Sequence, residues 1–170
     1  MILTFAVAAI VLLLDRLTKM WVLGTLKPVG DIPLWEGVFH FHYTENTGAA
    51  FGMLPGFRWV FLALSAAAAL IIAGWVIYRR RGLHWLAYMT LGLILGGAVG
   101  NLIDRIRFGY VLDFLYFKLI DFAIFNVADM GLVAGSILLG VYLLFIHERH
   151  THGGKDTGDS GGETVLHDGS

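Results

Sequence analysis

The stretch "HWLAYMTLGLILGGAVGNLIDR" (residues 84–105) combines a long apolar run with a polar end. About 20 predominantly apolar residues are enough to cross the hydrocarbon core of a bilayer as a helix. Gly92, Gly96 and Gly100 recur at every fourth position, which places them on one helix face and lets another helix approach closely in lipid. We therefore predict a membrane-spanning helix over residues 84–103 that packs tightly against its neighbours.

The rest of the chain carries the same apolar signal. Of its 170 residues, 57% are hydrophobic, and the mean hydropathy is +0.72, so the chain is more apolar than an ordinary soluble domain. Three other stretches are long and apolar enough to span a membrane: residues 2–24, 58–78 and 126–147. The predicted fold class is therefore an all-α membrane protein with four transmembrane helices. Since this number is even, both termini are expected on the same side of the membrane.

Residues 28–56 interrupt the helical pattern. Residues that break helices are frequent here, and "VFHFHY" (residues 38–43) alternates as a strand does. We predict a small cap of β-structure outside the membrane. His40 and His42 fall on one face of the predicted strand, but no third ligand lies near them in sequence. We therefore expect solvated histidines and predict no metal site.

The end of the chain and its overall composition exclude several classes of function. Residues 150–170 are polar and rich in glycine, which predicts a disordered tail after a membrane domain of residues 1–149. A net charge of −1 without a basic stripe gives no indication of a nucleic-acid partner. The chain has no cysteine, which excludes disulfides, thiolate metal sites and cysteine nucleophiles.

The candidates for chemistry are carboxyl and amide side chains. "FNVADM" (residues 125–130) opens the last apolar run, and its Asn126 and Asp129 have the spacing of a helix-capping box. Asp113 lies in a stretch rich in aromatic residues, 106–123, which we interpret as a loop. The polar side chains expected near the same membrane surface are Asp15, Lys19, Asn46, Asn101, Asp104, Arg105, Asp113, Asn126 and Asp129. Each has a structural explanation by itself, but their convergence on one surface predicts a functional site.

Two of these side chains form a predicted pair. Asp15 and Lys19 are four residues apart, with the acid first, so they share one face of the first helix in the favourable order. An ionisable residue at this depth in a membrane is costly unless it faces protein or water. The pair is explained either by a lysine that reaches toward the interface or by a part in the polar site.

Two other classes of protein also fit these residues. A small proton-coupled transporter could use Asp15, Asp104 and Asp129 as a relay, because acids within membrane helices often mark proton pathways. Against this, the acids lie at one surface and leave no relay across the remaining helices. A noncatalytic assembly subunit that packs through its glycine faces is the second alternative.

Five motif blocks resemble those of the lipoprotein signal peptidase family, also called signal peptidase II. The similarity covers about residues 1–147 in the same order and spacing. The blocks are "DRLTK" (15–19), "ENTGAAF" (45–51), "GNLIDR" (100–105), "VLDFL" (111–115) and "FNVADM" (125–130). This resemblance implies a bacterial aspartic peptidase of the inner membrane that has four transmembrane helices, cytoplasmic termini and an active site near the periplasmic face. It also implies that the small cap of β-structure is extracytoplasmic.

The resemblance also implies the reaction and its residues. Members of the family remove signal peptides from prolipoproteins by cutting just before a cysteine modified with diacylglycerol, and the peptide antibiotic globomycin inhibits them. By motif match, Asp113 and Asp129 are the expected catalytic pair, which shares one proton. The matched positions that shape the site or bind substrate are Asp15, Asn46, Asn101, Arg105 and Asn126. No cofactor is expected, the chain is expected to be a monomer, and its partners are the lipid-modified prolipoprotein and membrane lipid.

Overall fold

The computed structural model describes residues 1–48, 57–79 and 82–145, so the predicted tail lies outside the described residues. Within these ranges the chain forms four α-helices: α1 (Ile2–Trp21), α2 (Arg58–Tyr78), α3 (Trp85–Arg107) and α4 (Val127–Phe145). In the described part of the chain, α2, α3 and α4 are long and apolar enough to cross a membrane. The first helix has 20 residues, but Asp15, Arg16 and Lys19 interrupt its apolar run. The count of four spans therefore stays a prediction.

Two helices end at different residues from those predicted. Helix α1 passes into a π-helical turn, Val22–Leu26. Helix α3 continues past the predicted residue 103 to Arg107, and both Asn101 and Asp104 are buried within it. The sequence suggested that these polar side chains mark the helix end. They remain inside the helix because they have polar partners on the neighbouring elements.

A three-stranded antiparallel sheet lies at one end of the helices. Its strands, in spatial order, are β1 (Asp31–Trp35), β2 (Phe39–Asn46) and β3 (Val111–Tyr116). The strand predicted from the alternation of residues 38–43 is confirmed as part of β2. The loop predicted over residues 106–123 is wrong at its centre, because residues there form β3. Strand β3 pairs with β2, and Asp113 lies opposite Thr44.

The histidines of β2 hold the outer edge of this sheet together. His40 Nδ1 lies 2.8 Å and His42 Nδ1 lies 3.0 Å from the carboxylate of Asp31 on β1. The backbone N–H of Gly37 donates to His40 Nε2 at 3.3 Å, so the proton of a neutral His40 is on Nδ1 and points to Asp31. Among the residues that the structure describes, no group of three or more His, Cys, Asp or Glu side chains is arranged to hold a metal ion.

Glycines on α3 allow the close helix packing that the sequence predicts. A Cβ atom on Gly96 would lie 2.7 Å from the carbonyl oxygen of Ala8 on α1, and one on Gly97 would lie 2.3 Å from that of Ala128 on α4. Helix α3 therefore packs against α1 and α4 with almost no space between the backbones. This contact places the polar end of α3 directly beside the first turn of α4.

Substituting Gly97 with alanine tests this packing. We expect Gly97→Ala to destabilise the protein by about 1–3 kcal/mol, because the added methyl group forces α3 and α4 apart. Gly140 is a matched control, since it is also helical and has no atom within 4 Å of its position for a Cβ. Gly140→Ala is expected to be neutral or stabilising by about 0.5–1 kcal/mol. Thermal unfolding in detergent measures both, and equal midpoints for the two variants would contradict the packing argument.

Candidate active site

Four charged side chains form a buried cluster between α1 and α3, which we call the ion quartet: Asp15, Arg16, Lys19 and Asp104. Lys19 Nζ lies 2.9 Å from Asp15 Oδ1 and 2.7 Å from Asp104 Oδ2. Arg16 Nη1 lies 2.7 Å from Asp104 Oδ1. The predicted pair of Asp15 and Lys19 is confirmed, and it is part of a larger group with no net charge. Because both carboxylates are fully buried, their neutralisation by two cations is what makes their burial tolerable.

The quartet also holds the backbone at two distant points. Asp15 Oδ1 accepts a hydrogen bond from the N–H of Ala128 at 3.2 Å, and Asp104 Oδ2 accepts one from the N–H of Leu112 at 3.2 Å. Ala128 directly precedes Asp129, and Leu112 directly precedes Asp113. The quartet therefore fixes the backbone next to each of the two acids that the sequence singled out.

Asp113 lies on β3 with its side chain almost fully buried. Its Oδ2 accepts a hydrogen bond from Asn46 Nδ2 at 2.9 Å, and its Oδ1 accepts one from Asn126 Nδ2 at 2.6 Å. Burial raises the pKa of Asp113 to about 7, and the nearby carboxylate of Asp129 acts in the same direction. The two amide donors oppose this effect. Asp113 therefore keeps its proton to a higher pH than an ordinary aspartic acid does.

Asp129 lies in the first turn of α4, where it forms a reciprocal capping box with Asn126. The N–H of Asp129 donates to Asn126 Oδ1 at 3.0 Å, and the N–H of Asn126 donates to Asp129 Oδ2 at 3.1 Å. The other oxygen, Oδ1, accepts a hydrogen bond from Asn101 Nδ2 at 2.7 Å. The capping interpretation of "FNVADM" is thus confirmed. It does not exclude a chemical role, because the cap fixes the direction of the carboxyl group.

Asp113 and Asp129 line one cavity of about 230 Å³, which we call the acid cavity. The other residues that line it include Asn46, Asn101, Arg105, Val111, Leu132 and Val133. Asn126 lies beside the cavity and hydrogen-bonds both acids, through its side-chain amide to Asp113 and through its backbone N–H to Asp129. The arrangement places two carboxyl groups on the lining of one cavity, where both can act on a peptide bond.

The structure divides the other four predicted binding residues into two groups. Asn46, Asn101 and Arg105 line the acid cavity, and the guanidinium of Arg105 also lies 5.5 Å from the ring centre of Phe61. Asp15 does not line this cavity and lies in the ion quartet, where its oxygens face Lys19, Arg16 and the N–H of Ala128. Asp15 therefore holds the backbone next to Asp129 and does not itself face the cavity.

Sequence reasoning missed the roles of Arg16 and Asp104. Helical spacing drew attention to Lys19 as the partner of Asp15, whereas Arg16 follows Asp15 directly and falls on a different part of the helix surface. Its long side chain nevertheless reaches Asp104 and also donates to the carbonyl oxygen of Gly100 at 2.9 Å. Asp104 forms its salt bridges with two residues of α1, Arg16 and Lys19.

Solved structures of bacterial membrane enzymes share this fold. One has a TM-score of 0.75 and 26% sequence identity, and the alignment covers 92% of this chain and 94% of that chain. A second has a TM-score of 0.73 and 28% identity, and it covers 84% and 93% of the two chains. The fold of this chain is therefore that of a class of membrane enzymes.

Comparison with known families gives the particular enzyme family. The family model described as signal peptidase (SPase) II matches residues 7–145. A lipoprotein signal peptidase of Clostridioides difficile (strain 630) is 40% identical over 136 residues, which are 80% of this chain and 90% of the relative. One from Synechocystis sp. is 49% identical over 139 residues, which are 79% and 81% of the two chains. The chain belongs to the signal peptidase II family, so it is a membrane peptidase and neither a transporter nor an assembly subunit.

Removing one cation from the ion quartet is expected to be far more damaging than breaking an exposed pair. Lys19→Met leaves buried carboxylates with one cation too few, which typically costs about 3–5 kcal/mol. The matched control is Lys27→Met, because Lys27 also pairs with a carboxylate, that of Glu45 at 3.2 Å, but at an exposed position. The control should lose about 0–1 kcal/mol. Unfolding by titration with SDS in mixed micelles measures both, and similar losses would contradict a structural role of the quartet.

The raised pKa of Asp113 predicts a pH-dependent cost to stability. The folded protein holds the proton up to about pH 7, whereas an unfolded aspartic acid loses it near about pH 4. The folded state therefore binds more protons within this interval, and stability falls as the pH rises through it. The variant Asp113→Asn has no titrating group at this position, so its stability lacks this fall with pH. The difference between its unfolding midpoint and that of the wild type should therefore grow from about pH 4 to pH 7. Thermal unfolding at several pH values tests this, and a constant difference would contradict it.

Proposed function

We propose that this protein is an aspartic endopeptidase that removes signal peptides from prolipoproteins modified with diacylglycerol, cutting just before the modified cysteine. Asp113 and Asp129 are its catalytic pair. The substrate class is supported by the name lipoprotein signal peptidase, which the relatives share. The observation that carries the residue assignment is that both acids line the acid cavity and both are hydrogen-bonded by Asn126.

The chemistry follows from one proton held between two carboxyl groups. Peptide hydrolysis by such a pair requires one ionised and one protonated partner, and two neighbouring carboxylates resist ionising together. The ionised group takes a proton from the attacking water molecule, while the protonated group donates a hydrogen bond to the scissile carbonyl oxygen and stabilises its developing charge. Because the two carboxyl groups titrate together, their apparent pKa values describe the pair and not either aspartate alone. This mechanism uses no cofactor, no metal and no covalent intermediate.

The other side chains of the site bind substrate or hold the acids. Arg105 has a planar guanidinium group with five N–H donors, so it suits the carbonyl oxygens of a substrate backbone. Asn46 and Asn101 each donate to one of the acids, and their amide oxygens accept hydrogen bonds from the N–H of Gly48 and from Asn126 Nδ2. Asn126 sets the direction of both carboxyl groups, and Asp15 holds the first turn of α4 through the N–H of Ala128.

We place the active site near the periplasmic face of the bacterial inner membrane, with both termini in the cytoplasm. In this arrangement α1 is the fourth span, which is supported by the neutral charge balance of the ion quartet. The "RRR" sequence (residues 79–81) comes directly after α2 in the chain and supports a cytoplasmic location for that end of the helix. The protein acts as a monomer within membrane lipid, and the peptide antibiotic globomycin inhibits it.

Replacing either acid with its amide tests the catalytic pair. Asp113→Asn and Asp129→Asn are each expected to lower the cleavage rate by at least about 10³-fold, since each removes a group that transfers or shares the essential proton. Cleavage of a lipid-modified prolipoprotein in detergent, followed by the change in its size on a gel, measures the rate. Circular dichroism checks that the helices are retained.

The matched control for these variants is Glu36→Gln. Glu36 is an exposed carboxylate in the turn between β1 and β2, and its removal should leave the rate unchanged. Turnover near the wild-type rate by either aspartate variant would rule out this pair as the catalytic acids.

A further inference from the structure

A second groove continues outward from the acid cavity. It has a volume of about 510 Å³, and we call it the outer groove. Both spaces are lined by Asn46, Asp113, Ala123 and Ile124, so they meet at Asp113. A peptide whose scissile bond lies between the two catalytic acids therefore has one side in the acid cavity and the other in the outer groove.

The two spaces differ in the elements that line them. Besides its acids and the polar side chains of Asn46, Asn101 and Arg105, the acid cavity is lined by apolar side chains, which include Leu132 and Val133 of the membrane helix α4. The outer groove is lined by polar side chains of β2, such as Thr44 and Glu45, and by Asp121 beyond the end of β3. The signal-peptide side of a substrate is apolar, whereas the mature side leaves the membrane. The apolar residues of a membrane helix in one space and the polar strand residues in the other therefore assign the mature side to the outer groove.

Charge in the outer groove is not balanced. Glu45 is paired with Lys27, at 3.2 Å. Asp121 accepts a hydrogen bond from the hydroxyl of Tyr116 at 2.6 Å, but none of the salt bridges among the described residues includes it. Its side chain is exposed at the groove, so its negative charge acts on whatever occupies this space.

We propose that the outer groove binds the first residues of the mature chain that follow the modified cysteine, and that Asp121 makes it select against acidic residues there. This inference rests on the proposed function, because it requires the scissile bond to lie at Asp113. Asp121 is a specificity-determining residue and takes no part in the proton transfer.

The test uses three synthetic lipid-modified substrates that differ only in the residues directly after the cysteine, which are lysines, glutamines or glutamates. For the wild type, kcat/KM should be about three- to fivefold higher with lysine than with glutamate, as expected for charges that interact at an exposed site. The difference should shrink in concentrated salt, which screens exposed charges.

Asp121→Asn is the decisive variant. Asparagine keeps an acceptor for the Tyr116 hydroxyl and tolerates the left-handed backbone at this position, where φ is 48°. We expect it to lose the preference for lysine over glutamate. The matched control, Glu36→Gln, removes an exposed carboxylate outside the groove and should keep the preference.

The outcomes separate this inference from the proposed function. Equal kcat/KM values for the three substrates with the wild type, or an unchanged preference in Asp121→Asn, would overturn the role of Asp121, while cleavage itself would still support the peptidase. Failure of the wild type to cut any of the three substrates would overturn both.

Discussion

The structure depends on the neutralisation of two buried carboxylates between α1 and α3. In surroundings of low dielectric constant, Asp15 and Asp104 are tolerable only with cations in contact, and Arg16 and Lys19 supply them. Once neutralised, the carboxylates have oxygens free to accept backbone hydrogen bonds from the first turn of α4 and the start of β3. A requirement of charge balance thereby sets the positions of two elements that are far apart in sequence.

Asn126 also serves two purposes, since it caps a helix and positions the two acids. Its side chain caps α4 and also donates to Asp113, while its backbone N–H donates to Asp129. Helix capping and the placement of the acids therefore use the same atoms. This arrangement lowers the stability of the folded protein at Asp113, because burial raises the pKa of its carboxyl group to about 7. Sites that hold an ionisable group in a poorly solvated position lose stability in exchange for reactivity.

The sheet explains why one acid comes from a strand and the other from a helix. Strand β3 is held to β2 by antiparallel pairing that places Leu112 opposite Glu45. This register brings Asn46, at the end of β2, to the carboxyl group of Asp113. Because the helix packing of α3 against α4 fixes Asp129 independently, the acid cavity forms where a sheet and a helix bundle meet. The outer groove follows from the same junction.

By itself, the sequence determined the features that depend on neighbours within one element: the apolar helices, the glycine spacing on α3, the capping box at Asn126 and the pair of Asp15 with Lys19. Its motif blocks also pointed to the family. Only the tertiary structure decided that residues 111–116 form a strand and that Arg16 reaches Asp104, so the site's supporting contacts were not predictable. The physical reason is the distance along the chain over which each interaction acts. Helical periodicity and caps are local, whereas strand pairing and the balance of buried charge depend on partners that only the folded chain brings into contact.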